Sequence, residues 1–135
     1  MNRTIKFRGK SIYSEDWLYG SLVKIEKDRY AVIPPLNNIE IGKSIGMYEV
    51  YPETVGQFTG LFDKNGKEIY EGDILHTITF GFEPEEYTAI ILYDNCRFQL
   101  SNGRNLFYFG QSDLTKMDDT IVIGNIYDNP ELITP

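Results

Sequence analysis

The sequence predicts an all-β protein, and three observations carry the prediction. Ten tyrosines and eight phenylalanines stand in a 135-residue chain poor in alanine, a composition that suits pleated surfaces better than helices. No stretch sustains a 3.6-residue apolar period, whereas short apolar and alternating runs recur between turn residues. The run 54–75 adds four glycines, an Asn-Gly pair and a Gly-Asp step set between apolar residues. Such punctuation suits a small, strongly bent antiparallel barrel or sandwich with little helix.

The elements follow in order. Residues 5–8 alternate and read as a first strand; residues 17–23 read as a second, after a corner at Ser14-Glu15-Asp16. Tyr30-Ala31-Val32-Ile33 is a third, stopped by Pro34-Pro35 because proline cannot donate to a ladder. A loop over 36–46 is expected to hold a short strand at Ile39-Glu40-Ile41. Residues 47–51 alternate and lead into the 54–75 run. Residues 74–80 and 87–93 are expected to be strands joined by the loop 81–86. Phe98-Gln99-Leu100 and residues 106–109 are read as a hairpin around Asn102-Gly103. Residues 113–119 are a loop or a single helical turn, and residues 120–127 a last strand before the turn at Asp128-Asn129-Pro130.

Inside the organising run, Asn65-Gly66 predicts a type I′ hairpin, which needs positive φ at both central positions. Asp63 is placed to accept turn amides. Glu71-Gly72-Asp73 reads as a second tight corner, and Gly56 and Gly60 as sites of a bulge, a bend or close backbone approach. The segments 52–61 and 63–74 resemble the signature of the YopX family of phage and prophage proteins. Residues 122–132 resemble that family's closing segment, and Ile5-Lys6-Phe7-Arg8 with Trp17-Leu18-Tyr19-Gly20 its opening strands. Phe58 stands where the family usually shows tyrosine. The resemblance implies a small, β-rich, intracellular phage protein and brings no catalytic residues with it.

Length and cysteine content bound the rest. One domain over 1–135 is the default at 15.6 kDa; the loop 34–46 is the one plausible seam, dividing an N-terminal β lobe (1–46) from a small barrel (47–135). Cys96 is the single cysteine, so no internal disulfide forms, in keeping with a reducing cytoplasm. No apolar segment follows the first residues as in a signal peptide. The uncharged run 87–93 is far shorter than the roughly 20 residues a membrane helix needs. A cytoplasmic location in a bacterial host is expected.

Net charge is −7, unevenly spread. Seven basic and four acidic residues in 1–29 leave that stretch at +3 and the remainder at −10. Nucleic-acid binders present basic faces, so the acidic body weighs against that function. The N-terminal stretch keeps it open through Arg3, Lys6, Arg8 and Lys24 interleaved with Trp17 and Tyr19, because aromatic rings beside cations can stack bases. The same residues suit a protein interface or a core. A basic end and an acidic body can equally pair between subunits.

Reactive constellations are sparse. His76 is the sole histidine and, with Cys96, falls short of a zinc ligand set. Cys96 beside Arg97 is read as a small, buried hydrophobe rather than a reactive thiol. Glu83, Glu85 and Glu86, with Asp94 nearby, lack the ligand spacing of a calcium loop and read as solvated acids. Asp63 and Asp73 can be imagined as an acid/base pair, but turn capping explains them better. Gly60 and Gly66-Lys67 do not make a phosphate loop, since no Ser or Thr follows. The expectation is a non-enzymatic interaction protein without metal or cofactor. It is expected to be homo-oligomeric and to bind an unidentified host or phage protein; a small-barrel nucleic-acid binder is the alternative.

Overall fold

The computed structural model describes residues 4–35, 46–78, 86–94, 96–101 and 119–133. Among them, ten strands form two antiparallel sheets, and the helical content is two three-residue 3-10 turns, Pro52–Thr54 and Pro130–Leu132. The predicted all-β class holds, built as two sheets and not as one closed barrel. The chain divides into two compact units, Met1–Phe58 and Thr59–Pro135. The division therefore lies later than the expected 34–46 seam. The reason is pairing: the short strand after that loop bonds to the strand before it, which ties residues 46–58 to the N-terminal unit.

In the first unit, β1 (Phe7–Lys10), β2 (Trp17–Glu26), β3 (Arg29–Ile33) and β4 (Tyr48–Val50) lie in the order β4-β3-β2-β1, followed by the start of β5 (Gly56–Phe62). Arg8 sits between Tyr19 and Gly56, and Val32 between Leu22 and Tyr48. Ala31, Val32 and Val50 are all fully buried; register puts Val32 and Val50 on one face and Ala31 on the other. Asp28 closes the β2–β3 hairpin with φ 60°, a left-handed conformation that Asp tolerates better than most residues. β2 slips register between Lys24 and Glu26 just before that turn.

The outer edge of β4 is occupied. Ser11 bridges Val50, the Ile12 amide donates to the Glu49 carbonyl at 3.1 Å, and the Tyr51 amide donates to the Lys10 carbonyl at 2.9 Å. Thr54 locks the same corner: its hydroxyl donates to the Tyr51 carbonyl at 2.6 Å and accepts the Lys10 amide at 2.9 Å. An edge strand left open invites pairing with foreign chains; here the residues just after β1 take that place.

In the second unit, the remainder of β5 turns into β6 (Glu68–Tyr70). A four-stranded sheet of β7 (Asp73–Ile78), β8 (Glu86–Asp94), β9 (Arg97–Leu100) and β10 (Thr120–Asn125) runs in the order β10-β7-β8-β9. Leu61, Ile69, Leu75, Ala89, Ile91 and Leu100 form its buried core, with Tyr87, Phe98 and Val122 packed against them. Burying side chains such as Ile69, Leu75 and Ile91 stabilises the fold by about 2 kcal/mol each. β10 bulges between Val122 and Gly124. The tail is then turned by Asn125, whose Oδ1 accepts the Tyr127 and Asp128 amides at 3.0 and 2.9 Å.

The Asn65-Gly66 turn corrects one expectation. The Gly66 amide donates to the Asp63 carbonyl at 3.0 Å and the Asp63 amide to the Lys67 carbonyl at 2.8 Å. Gly66 has φ 82°, and Asn65 is not among the positive-φ residues. This is a three-residue loop with a left-handed glycine at its end, not a two-residue type I′ turn. Asp63 selects it: its Oδ1 accepts the Asn65 and Lys67 amides at 2.8 and 2.9 Å, which requires the wider loop.

The strand expected at Ile39-Glu40-Ile41, the arm at 106–109 around Asn102-Gly103 and the turn over 113–118 lie outside the described residues. So do Arg3, Glu83 and Glu85.

Candidate interaction surface and the carboxylate corners

The residues 17–26 alternate across the sheet of the first unit, so parity decides which candidate side chains share a face. Arg8 and Tyr19 are directly opposite, as are Lys10 and Trp17; Arg8, Trp17 and Tyr19 therefore stand on one face. Lys24 pairs with Tyr30 at the other parity and projects from the opposite face. The sheet thus separates Lys24 from the aromatic–cationic trio that the sequence grouped with it.

Within the trio, Arg8 is 4% exposed and its guanidinium carbon lies 4.7 Å from the centroid of the Trp17 ring. A cation held against an indole face in a desolvated place is a structural contact, and it removes Arg8 from the accessible surface. Lys6 uses its ammonium in the same way, 5.3 Å from the Phe58 ring centroid. Tyr19 is exposed, and Lys24 also faces water. Arg29 is engaged as well: its fork meets both Glu49 oxygens at 2.8 and 3.2 Å and Glu26 at 2.8 Å. The hydrogen bonds it donates to Glu49 first, then to Glu26, hold the guanidinium above its ordinary pKa, and Arg29 holds the Glu49 carboxyl below the usual carboxylate range.

Two buried carboxylates organise the second unit. Asp63, 2% exposed, accepts Asn65 and Lys67 through Oδ1 and reaches β10 through Oδ2, which accepts the Val122 amide at 3.0 Å. Next to it the Lys64 amide donates to the Thr120 carbonyl at 2.8 Å. Asp73, also 2% exposed, accepts the Tyr70 amide at 2.7 Å. A carboxylate accepting backbone amides caps a turn or an edge; neither Asp is aimed at a cleft with the other. Gly72, with φ 90°, donates its amide to the Ile91 carbonyl and accepts the Ile126 amide, while Gly60 has φ 88° within β5 and Gly56 is buried opposite Arg8.

The other candidates are scattered. His76 on β7 is partly exposed, with Nε2 3.7 Å from a Glu86 oxygen. Glu86 begins β8 and Asp94 ends it, so about 26 Å of extended strand separates them and the expected acidic cluster does not include Asp94. Cys96 is exposed at the β8–β9 turn with φ 62°, which corrects the buried reading: the turn geometry, not packing, places it. Among the described residues, no group of three His, Cys, Asp or Glu side chains is arranged to hold a metal ion. No helix among them is long and apolar enough to cross a membrane.

What sequence reasoning missed is apolar. On the β8–β9 hairpin, Tyr93 is 52% exposed and stands edge-on to Phe98 with ring centroids 5.1 Å apart, next to exposed Leu92. Alternation along β8 was the available signal, but which parity faces water depends on the core it packs against.

The organising run, the closing segment and all of the opening strands but Ile5 fall within one family match: the model for the YopX protein matches residues 6–134. The chain belongs to the YopX family. The match covers Asp63, Asn65, Gly66, Gly72 and Asp73 as well as Arg8, Trp17 and Tyr19. Among solved structures, this YopX-family chain is similar to protein EF1440 from Enterococcus faecalis. That crystal structure is 29% identical, with a TM-score of 0.63 over 98% of this chain and 100% of that one. No curated protein matches the chain.

Proposed function

We propose that the chain is a phage- or prophage-encoded, non-enzymatic interaction protein that associates with a second copy of itself and binds another macromolecule in the host cytoplasm. The observation that carries this reading is where the distinctive ionisable groups go. Asp63 and Asp73 cap backbone amides, Arg8 lies under Trp17, and Arg29 is spent on Glu49 and Glu26. Those groups serve architecture, and what the chain offers to partners is side-chain surface such as Tyr19, Tyr48, Leu92 and Tyr93. YopX family membership supports the phage-type origin.

Charge supports self-association. Residues 1–29 carry +3 and the remainder −10, so two copies attract where a basic stretch meets an acidic surface, and salt weakens that attraction. Light scattering coupled to gel filtration tests it. A particle heavier than 15.6 kDa that shrinks towards the monomer as salt rises is expected; a monomer at every concentration and salt level ends the proposal.

The nucleic-acid alternative draws less support, because Arg8 is buried and Lys24 lies on the other face from Tyr19. Salt-dependent binding of single-stranded DNA or RNA would restore it.

A further inference from the structure

An Asn followed by Gly is the dipeptide in which a backbone nitrogen most readily attacks the preceding side-chain amide, because glycine offers no side chain to hinder it. Here that pair sits at an exposed hairpin tip, where Asn65 and Gly66 both face solvent. Yet the attacking nitrogen is not free: Gly66 N–H donates to the Asp63 carbonyl at 3.0 Å. The peptide units on either side are tied to the same residue, through the Asn65 and Lys67 amides on Asp63 Oδ1. Asp63 in turn is anchored to β10 by the Val122 amide.

We propose that Asn65-Gly66 is a latent site of spontaneous backbone modification that Asp63 holds in check. When the turn opens, the Gly66 nitrogen loses its proton to solvent and bonds to the Asn65 side-chain carbonyl carbon. The bond from that carbon to Nδ2 breaks, and ammonia leaves. Water then adds to either carbonyl of the cyclic imide and opens the ring to aspartate or isoaspartate. No oxidant or cofactor is needed.

Either product puts a new carboxylate beside Asp63. Isoaspartate also routes the main chain through the β-carbon, lengthening a three-residue loop whose hydrogen bonds depend on its span. The Asp63–Val122 link then loosens, so the step is a one-way release of β10 from the hairpin tip. Its rate is set by how often the turn opens locally.

Peptide mapping by mass spectrometry, with isoaspartate-specific methylation, reads the conversion at the peptide containing Asn65. The full chain and a synthetic peptide spanning 61–69 are incubated together in mildly alkaline buffer. The folded chain is expected to convert at least about tenfold more slowly than the peptide, the factor expected from two or three hydrogen bonds that must open first. Asp63→Ala keeps the main-chain carbonyl that accepts Gly66 N–H but loses the carboxylate that ties the Asn65 and Lys67 amides. If folded by circular dichroism, it is expected to convert several-fold faster than the parent chain and still more slowly than the peptide. Equal rates in chain and peptide, or an unchanged rate in a folded Asp63→Ala, overturn the proposal. Hydrogen exchange at the Gly66 amide gives an answer even if that variant does not fold: exchange as fast as in the peptide is equally fatal.

Discussion

Asp63 and Val122 are 59 positions apart in the chain, yet the carboxylate of the first accepts the amide of the second at 3.0 Å. Through one buried side chain, a turn between β5 and β6 fixes where β10 lies. With the Lys64 amide on the Thr120 carbonyl, this contact occupies backbone groups of β10 that a bare edge would leave open to aggregation.

Asp63→Ala therefore destabilises more than a surface substitution. The Asn65 and Lys67 amides lie at the exposed tip and can turn to water, whereas the Val122 amide is only partly exposed. A loss of about 2–3 kcal/mol is expected, and Asp63→Asn, which keeps an acceptor oxygen, loses less. Urea unfolding followed by circular dichroism measures both.

Two glycines separate conformational strain from collision. At Gly66 φ is 82° and an added Cβ meets nothing within 4 Å, so Gly66→Ala costs about 1–2 kcal/mol of backbone strain and Gly66→Asn less. At Gly20 an added Cβ collides with the Ile33 carbonyl oxygen, a backbone atom of the paired strand. Gly20→Ala is expected to exceed the Gly66→Ala cost clearly, because β3 must move to relieve it. Thermal denaturation of the two variants side by side checks the ranking.

Arg8→Ala is expected to lower stability by about 1–2 kcal/mol, from the lost contact with Trp17 and the gap left beneath it. Trp17 is the single tryptophan, so its fluorescence should shift red as water enters. The same variant is expected to leave any salt-dependent polyanion binding unchanged, which distinguishes a structural arginine from a binding one.

The Arg29–Glu49 pair gives a pH dependence with a definite sign. Glu49 titrates lower in the folded state than in the unfolded chain. Its contribution is thus fully present above the unfolded carboxylate pKa and is lost as pH falls through the folded value. Glu49→Gln should flatten the stability profile on the acid side and leave its neutral-to-basic limb unaltered in slope, as read by denaturation midpoints across that range.

Local chemistry made much of this chain legible in advance. Short apolar and aromatic runs between turn residues placed the strands at 17–26, 29–33, 86–94 and 120–125 close to where they lie, because strand-favouring composition and turn punctuation are local features. The turn residues Asp63, Gly66, Gly72 and Asp73 were visible for the same reason: positive φ and amide capping are demands of a few neighbouring residues. The loop width at Asn65-Gly66 was not, since Asp63 settles it while also reaching Val122 in a distant strand. Burial of Arg8 under Trp17 was hidden too, and Lys24 parts from Tyr19 by parity only because β2 runs on to Glu26, beyond the expected end at residue 23. A strand's sequence states which residues share a face, but only the core it packs against decides which face turns inward. The letters alone thus determined an all-β class, its corners and its family; strand pairing decided which of its cations and carboxylates are architecture and which meet solvent.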